Sequence, residues 1–288
     1  MAAPAIGAGV SLGRAVALLV LSLLAAGCFG GTARPKPGDA AARQRGWERV
    51  AIDTGPFLLV GYRSFGAPED RELTVYIEGD GTAWLTPTQQ STDPTPRHAQ
   101  AWALALLDPS PNRLYLARPC QYQSPERLAR CDPAYWSVRR YSEEVIAAMS
   151  EAITVANDDL GARRIVLIGY SGGGTVAALI AARRPDVARL VTVAANLDHA
   201  EWTRRMNATP LDGSLNPVDQ AGALARIPQV HFVGEDDRIV PKAIAESYRR
   251  EFRDASRVRI VDVANADHDC CWTKLWPTLV ADYLGPGS

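Results

Sequence analysis

The alternation of apolar and mixed segments along the chain predicts strands and helices that follow one another in turn. Eight short segments are apolar and rich in β-branched residues, as strands are. They are Trp47–Ile52, Phe57–Tyr62, Leu73–Ile77, Leu114–Ala117, Ile165–Ile168, Leu190–Ala194, Val230–Val233 and Val258–Val263. The last six are apolar on both faces, which is typical of strands that helices cover on both sides of a sheet.

Segments with the helical period lie between these strands. They are Arg97–Leu107, Ser142–Leu160, Gly172–Arg184, Pro241–Phe252 and Leu275–Leu284. Strands that alternate with helices imply parallel pairing through right-handed crossovers. The first two strands are joined only by Asp53–Pro56 and should form an antiparallel hairpin at one edge. The predicted fold class is therefore α/β, with a mostly parallel eight-stranded sheet and helices on both faces.

One domain, residues 46–288, accounts for all of these elements, and residues 195–228 within it carry weak signals that could form a small cap over the site. The residues before this domain have the pattern of a targeting segment. Arg14 is followed by the apolar run Ala15–Ala26, which has the charged start and short apolar stretch of a secretory signal. This run is shorter than the ~18 residues that a bilayer-spanning helix needs.

The end of that run, Leu24–Cys28 (LAAGC), resembles the lipobox of bacterial lipoproteins. The resemblance implies that residues 1–27 are a signal peptide that is removed and that Cys28 is lipidated. Residues 28–45, rich in Gly, Pro and Ala, would follow as a flexible tether. Several acyl chains would anchor the protein stably in a membrane. Phe29 stands where the family's inner-membrane retention signal has Asp, so we expect an outer-membrane anchor with the body at the periplasmic face.

The net charge of the chain restricts the kinds of partner that the protein would attract. The formal net charge is −1, from 31 Lys and Arg against 32 Asp and Glu, so nothing draws the protein to nucleic acid. The expected partners are a small ester or acylated substrate and a membrane, reached through the lipid anchor. We expect a monomer.

Export would place the remaining cysteines in an oxidising compartment. These are Cys120, Cys131, Cys270 and Cys271. Four cysteines allow three pairings, and we favour Cys120 with Cys131, which closes a short loop and leaves the adjacent pair to each other. The two crossed pairings, which would staple distant loops together, stay open. No matched CxxC pairs are present, so no metal site is predicted.

The pentapeptide Gly169–Gly173 (GYSGG) fits the pattern G-x-S-x-G between a predicted strand and a predicted helix. This is the context of a nucleophile elbow, which exposes a serine hydroxyl above the sheet at a helix N-terminus. The overlapping stretch Gly172–Ala177 also fits a dinucleotide-binding loop. It lies on a middle strand, however, and Asn196 rather than an acid follows the next strand. We therefore predict no cofactor.

Two later loops carry the partners that a serine nucleophile needs. Gly234–Pro241 contains an acid, and Ala264–Trp272 contains a histidine, each after its own strand. In this order the chain resembles the α/β-hydrolase superfamily over residues 47–285. The resemblance implies that Ser171 is the nucleophile, Asp237 the acid and His268 the base, with Asp236 as a rival acid.

The same resemblance implies an oxyanion hole formed by the N–H groups of Gly172 and Asp80. Many family members have His-Gly where this chain has Glu78–Gly79. Two carboxylates there would oppose the developing negative charge unless they point away or are neutralised. Asp80 could cap a helix turn or pair with Arg118, or the two acids could select a cationic or hydroxyl-rich substrate. This EGDG loop and the segment Arg118–Tyr122 also resemble a group of bacterial lipoprotein hydrolases.

Side chains near the predicted carboxyl edge of the sheet are candidates for the substrate pocket. They are Glu78, Trp84, Arg118, Tyr122 and His199, with Trp136 and Trp202 as further aromatic candidates. A bridge between Cys270 and Cys271 would stiffen the loop of His268. The resulting hypothesis is a membrane-anchored serine hydrolase that cleaves esters, or amides, through an acyl-enzyme. Acyl transfer by the same triad and a non-catalytic envelope lipoprotein on this scaffold are the alternatives.

Overall fold

The computed structural model describes residues 39–67, 69–86 and 88–285, together with Met1 and Ala2. The chain divides into two units, Met1–Arg34 and Pro35–Ser288, and the second is described below. Apart from Met1 and Ala2, the predicted signal peptide lies outside the described residues, as do Cys28 and most of the predicted tether. Within the described part, every helix is too short or too polar to cross a bilayer.

The described part of the chain contains ten strands in two sheets. They are β1 (Glu48–Asp53), β2 (Leu58–Phe65), β3 (Glu72–Ile77), β4 (Trp84–Thr86), β5 (Gln89–Gln90), β6 (Asn112–Leu116), β7 (Arg164–Tyr170), β8 (Val187–Val193), β9 (Gln229–Gly234) and β10 (Val258–Val263). The main sheet has the order β1-β2-β6-β3-β7-β8-β9-β10. The pairs β1–β2 and β2–β6 are antiparallel, and all other pairs are parallel.

The predicted eight-stranded, mostly parallel sheet is therefore confirmed, with the antiparallel hairpin at its edge. The ribbon of β4 and β5 was not predicted, because its strands are only three and two residues long and lie in a polar loop. This ribbon follows β3 and lies at the carboxyl edge of the parallel strands, where ligands bind in folds of this class.

The helices of the described residues lie between and around these strands. They are α1 (Asp39–Gln44), α2 (Gln100–Ala105), α3 (Pro125–Leu128), α4 (Glu143–Asn157), α5 (Gly172–Ala181), α6 (His199–Met206), α7 (Ala221–Leu224), α8 (Lys242–Arg250) and α9 (Trp272–Tyr283), with 3-10 turns at Pro133–Trp136 and Pro217–Gln220. The five predicted helices are present as α2, α4, α5, α8 and α9. The first four are shorter than predicted, and α9 begins earlier.

Helix α1 corrects the predicted boundary of the tether, which was drawn through residue 45. Its sequence DAAARQ is rich in alanine, the best helix former. Ala42 is buried in the same apolar cluster as Trp47, so the packed body already includes this residue. The body therefore begins before residue 46.

Two apolar clusters cover the two faces of the sheet. Helices α4 and α5 pack on one face, where Val145, Met149 and Ile153 of α4 are fully buried. Helices α2 and α9 pack on the other face, where Trp272 and Trp276 are fully buried. Every residue of α5 is buried, so the strand–helix junction that precedes it is fixed from all sides.

Residues 195–228 form part of this body. Leu197, Leu211 and Leu224 lie in the same apolar cluster as α4 and α5. Of this segment, Asn196 and Trp202 line the cavity described below. The segment therefore contributes one wall of the site and packs mainly into the core.

Candidate active site

The turn at Ser171 joins β7 directly to α5, with no other residue between them. Its φ of 51° lies in a region that residues with a Cβ rarely adopt. Close packing around the turn requires the flanking glycines. A Cβ on Gly169 would lie 2.3 Å from the carbonyl oxygen of Gly173, and one on Gly173 would lie 2.2 Å from that of Ile77. The buried strand and helix thus hold Ser171 in a strained conformation, as at many functional sites.

The structure brings the three predicted catalytic residues into one hydrogen-bonded line. Ser171 Oγ lies 3.0 Å from His268 Nε2, and His268 Nδ1 lies 2.9 Å from Asp237 Oδ2. Ser171 follows β7, Asp237 follows β9 and His268 follows β10. Because these strands are parallel, their ends meet at the same edge of the sheet.

The structure also shows which of the two candidate acids contacts His268. Asp237 is 5% exposed, and its Oδ1 accepts the N–H groups of Ile239 and Val240, each at 2.8 Å. These bonds hold the carboxylate so that Oδ2 faces the imidazole. Asp236 is exposed. Asp237, and not Asp236, therefore contacts His268.

The loop around His268 is held by several hydrogen bonds. The Tyr170 hydroxyl lies 2.9 Å from the His268 carbonyl oxygen and 3.1 Å from Asp269 Oδ1. Burial, together with the nearby Asp269 carboxylate, raises the pKa of Tyr170, so its hydroxyl stays protonated and can donate. On the other side, the Trp272 indole N–H lies 3.0 Å from the carbonyl oxygens of Asp267 and His268.

The loop after β3 covers the turn at Ser171. A Cβ on Gly172 would lie 2.0 Å from Asp80 Oδ1, so these two residues are in direct contact. The N–H of Gly79 is taken by Glu78 Oε1 at 3.0 Å. The N–H of Asp80 has no backbone or side-chain acceptor within the described residues, and that of Gly172 begins α5 and has none within its helix. The two residues predicted to supply the oxyanion donors are thus in contact, and their N–H groups are not used within the described residues.

Glu78 points away from the serine, into the start of α2. Its carboxylate accepts the N–H of Ala101 at 3.3 Å and the hydroxyl of Tyr115 at 3.1 Å. Burial raises the pKa of this carboxyl above its usual value. One of the two acids is therefore directed away from the place where negative charge would develop.

Asp80 is neutralised by cations. Its Oδ1 lies 3.2 Å from Arg118 Nη1, and its Oδ2 lies 2.8 Å from Arg140 Nη1 and 3.1 Å from the Tyr141 hydroxyl. Burial disfavours the charged carboxylate, but Arg140 and Arg118 hold the pKa of Asp80 below its ordinary value. Of the alternatives that the sequence left open for Asp80, the structure shows the pairing with Arg118. Arg140 and Tyr141 were missed because they belong to no motif and meet Asp80 only in the fold.

A cavity of about 680 Å³ opens above Ser171 and His268. Its lining includes Trp84, as predicted, which is 42% exposed at the rim. Glu78 also belongs to the lining, but its carboxylate is buried and bound to Ala101 and Tyr115. Trp202 also lines it and donates its indole N–H to the Ile239 carbonyl at 2.7 Å. Its other lining side chains include Arg97, His98, Gln100, Arg140, Tyr141, Tyr170, Asn196, Val240 and Asp269.

Three predicted pocket residues and one further aromatic candidate do not line this cavity. Arg118 is absent from its lining and contacts two residues that do line it, Asp80 and Arg140. Tyr122 packs into the cluster of α2 and α9. The imidazole of His199 turns to the Leu215 carbonyl, at 3.2 Å. Trp136 packs against Cys120.

The cysteines pair as favoured from the sequence. Cys120 is bonded to Cys131, and Cys270 is bonded to Cys271. The first bridge ties the segment after β6 to the turn that follows α3, and the second lies just after His268. No group of three or more metal-binding side chains exists among the described residues.

A sequence model for proteins of the α/β hydrolase fold matches residues 120–213. That region contains the turn at Ser171 and supplies two strands, β7 and β8, of the eight-stranded sheet. The chain has the α/β-hydrolase fold. A comparison with curated protein sequences finds no match.

Solved structures share this α/β-hydrolase fold at low sequence identity. Est1E from Butyrivibrio proteoclasticus is 14% identical, covers 82% of this chain and 97% of its own, and has a TM-score of 0.57. The Pyrococcus furiosus esterase Pf2001 is 12% identical, with coverage of 84% and 94% and a TM-score of 0.57. A putative dienelactone hydrolase from Klebsiella pneumoniae is 20% identical, with coverage of 77% and 86% and a TM-score of 0.53. At such identities the likeness establishes the fold alone.

Proposed function

We propose that this protein is a serine hydrolase that cleaves carboxylic esters through an acyl-enzyme. The observation that carries the proposal is the line from Ser171 Oγ through His268 to Asp237, with distances of 3.0 Å and 2.9 Å. A serine hydroxyl is a weak nucleophile until a base accepts its proton and an acid orients that base. The strained turn at Ser171 and the available N–H groups beside it supply the rest of the machinery.

In the first half-reaction, Ser171 Oγ attacks the ester carbonyl carbon while His268 Nε2 accepts the hydroxyl proton. Asp237 accepts a hydrogen bond from Nδ1–H, so that Nε2 is the nitrogen free to take that proton. The N–H groups of Gly172 and Asp80 bind the oxyanion. The imidazolium then returns the proton to the departing alcohol, which leaves Ser171 acylated.

In the second half-reaction, a water molecule gives a proton to His268 and attacks the acyl carbonyl, and Ser171 leaves with the proton. An ester substrate is favoured because one fold neighbour, Pf2001, is described as an esterase. Amide cleavage and acyl transfer to another alcohol would use the same triad. The ester assay should therefore be repeated with added alcohols, because formation of a new ester would reveal acyl transfer.

The proposal is tested by labelling the purified protein with a fluorophosphonate probe, which reacts with activated serines. We expect labelling of the wild type and none of Ser171→Ala, because Ser171 carries the one hydroxyl that is hydrogen-bonded to the imidazole of His268 among the described residues. Ser256→Ala, at an exposed serine, is the matched control and should label like the wild type. An unlabelled wild type that also fails to hydrolyse p-nitrophenyl esters would favour the non-catalytic alternative.

We also propose that Cys28 carries the lipid anchor, on the strength of the LAAGC sequence before it. Metabolic labelling with an alkyne fatty acid in a Gram-negative host should mark the wild type, and Cys28→Ala should lose both the label and membrane association. The double variant Cys270→Ser/Cys271→Ser, which leaves the lipobox intact, should keep the label. Recovery of Cys28→Ala in the membrane fraction at wild-type level would contradict the anchor.

A further inference from the structure

The segment Arg118–Tyr122, directly after β6, lies against the loop that carries Asp80. Gln121 joins the two. Its Oε1 accepts the N–H of Arg118 at 3.0 Å, and its Nε2 donates to the Gly79 carbonyl at 3.0 Å. The same amide lies 3.4 Å from the Pro94 carbonyl, which also accepts the N–H of Thr82 at 3.0 Å. One side chain thus fixes the backbone on both sides of Asp80.

Arg118 fixes the side chain of Asp80 from the same segment. Its Nη1 lies 3.2 Å from Asp80 Oδ1, and its Nη2 donates to the Arg140 carbonyl. Arg140 in turn binds the other carboxylate oxygen at 2.8 Å. Arg118 is 4% exposed and Gln121 is 1% exposed. Burying such groups is costly unless they are paired, so these contacts define a single arrangement.

The backbone of the segment is itself held in an unfavourable conformation. Cys120 has a φ of 68° and Tyr122 a φ of 58°. Residues with a Cβ persist in this region only where their surroundings impose it. The bridge from Cys120 to Cys131 is one such restraint. Cys120 also packs with Trp136 and Ala83, and Ala83 belongs to the loop that carries Asp80.

We propose that Arg118 and Gln121 are positioning residues that hold the N–H of Asp80 in the oxyanion hole. The Cys120–Cys131 bridge keeps them in place, so turnover depends on this disulfide. The inference rests on the proposed function, since it assigns the residues that organise the same site. Arg118 and Arg140 also cancel the charge of Asp80, which would otherwise oppose the oxyanion.

The test compares Gln121→Ala and Arg118→Met with Gln123→Ala in the wild-type background. Gln123 lies in the same stretch, but its amide binds the Leu58 carbonyl at 2.8 Å and the Gln121 carbonyl at 3.1 Å, away from Asp80. Rates are measured with a p-nitrophenyl ester and divided by the number of active sites, titrated with the fluorophosphonate probe at completion. This normalisation removes any loss of folded protein.

We expect Gln121→Ala and Arg118→Met to lower kcat by about 10²-fold, comparable with the loss of one oxyanion donor, while KM changes less than about threefold. Affinity for a boronic acid, which mimics the tetrahedral adduct, should fall in parallel with kcat. Arg118→Lys, which keeps the charge but not the paired donors, should fall between these variants and the wild type. Gln123→Ala should match the wild type.

The double variant Cys120→Ser/Cys131→Ser removes the bridge and leaves the pair at 270 and 271 intact. It should lower kcat about tenfold or more, with a matching loss of boronate affinity. Wild-type kcat per titrated site in Gln121→Ala and Arg118→Met would overturn the inference, even if their melting temperatures fall. That outcome would leave the proposed function standing, whereas a wild type without labelling or turnover would remove the function itself.

Discussion

Replacement of Ser171 by alanine is expected to lower kcat for ester hydrolysis by about 10⁵–10⁶-fold, and His268→Ala by a similar factor. The two residues act as one unit, because the hydroxyl 3.0 Å from Nε2 attacks only as its proton leaves. The double variant should therefore be no slower than either single variant. The residual rate would come from the N–H groups of Gly172 and Asp80 and from binding alone.

The measurement is kcat with a short-chain p-nitrophenyl ester, on samples whose folding is checked by circular dichroism. His98→Ala is the matched control for the histidine. That side chain also lines the cavity, yet it has no hydrogen bond to Ser171. Additive losses in the double variant would mean that Ser171 and His268 contribute independently. A loss of kcat in His98→Ala comparable with that in His268→Ala would contradict the assignment of His268 as the general base.

The turn at Ser171 and the order of the three catalytic loops could be predicted because each is a local feature. Glycines around the serine, an acid after β9 and a histidine after β10 are visible without knowledge of the fold. Parallel strands then bring their carboxyl ends together at one edge. The eight strands and five helices could also be predicted from the sequence, because the apolar pattern of each element depends on which of its faces are buried.

Contacts between distant side chains could not be predicted in the same way. Arg140 lies 60 residues from Asp80 in the chain, and nothing in its neighbourhood marks it as a partner. Tyr122 and His199 were placed correctly near the edge of the sheet but with the wrong side-chain directions. At Tyr122 the φ of 58° goes with a side chain that packs into the core. Such directions depend on the surrounding packing.

The choice between two adjacent acids also depends on packing that the sequence does not reveal. Asp236 and Asp237 have the same chemistry and differ by one position, so the sequence pattern alone left a rival. Burial separates them, because the turn after β9 encloses one carboxylate and exposes the other. The N–H groups of Ile239 and Val240 then orient the enclosed one.

Asp237→Asn is expected to lower kcat by about 10⁴-fold without disturbing the fold, and its physical cause can be worked out atom by atom. Oδ1 of the native residue accepts two backbone N–H groups, so in the variant the amide oxygen should take that place. The amide NH₂ then faces Nδ1 of His268. An N–H donor opposite Nδ1 selects the tautomer that carries its proton on Nε2. That nitrogen can no longer accept the proton of Ser171.

Asp236→Asn is the matched control, since it makes the same chemical change one residue away on an exposed side chain. We expect its kcat to stay within about twofold of the wild type, because exposed polar substitutions away from the site change little. Both variants should keep wild-type melting curves, since an amide can replace a carboxylate in size. A larger loss in Asp236→Asn than in Asp237→Asn would reverse the assignment. Equal and small losses would mean that His268 is oriented by its loop, through Tyr170 and Trp272, rather than by a carboxylate.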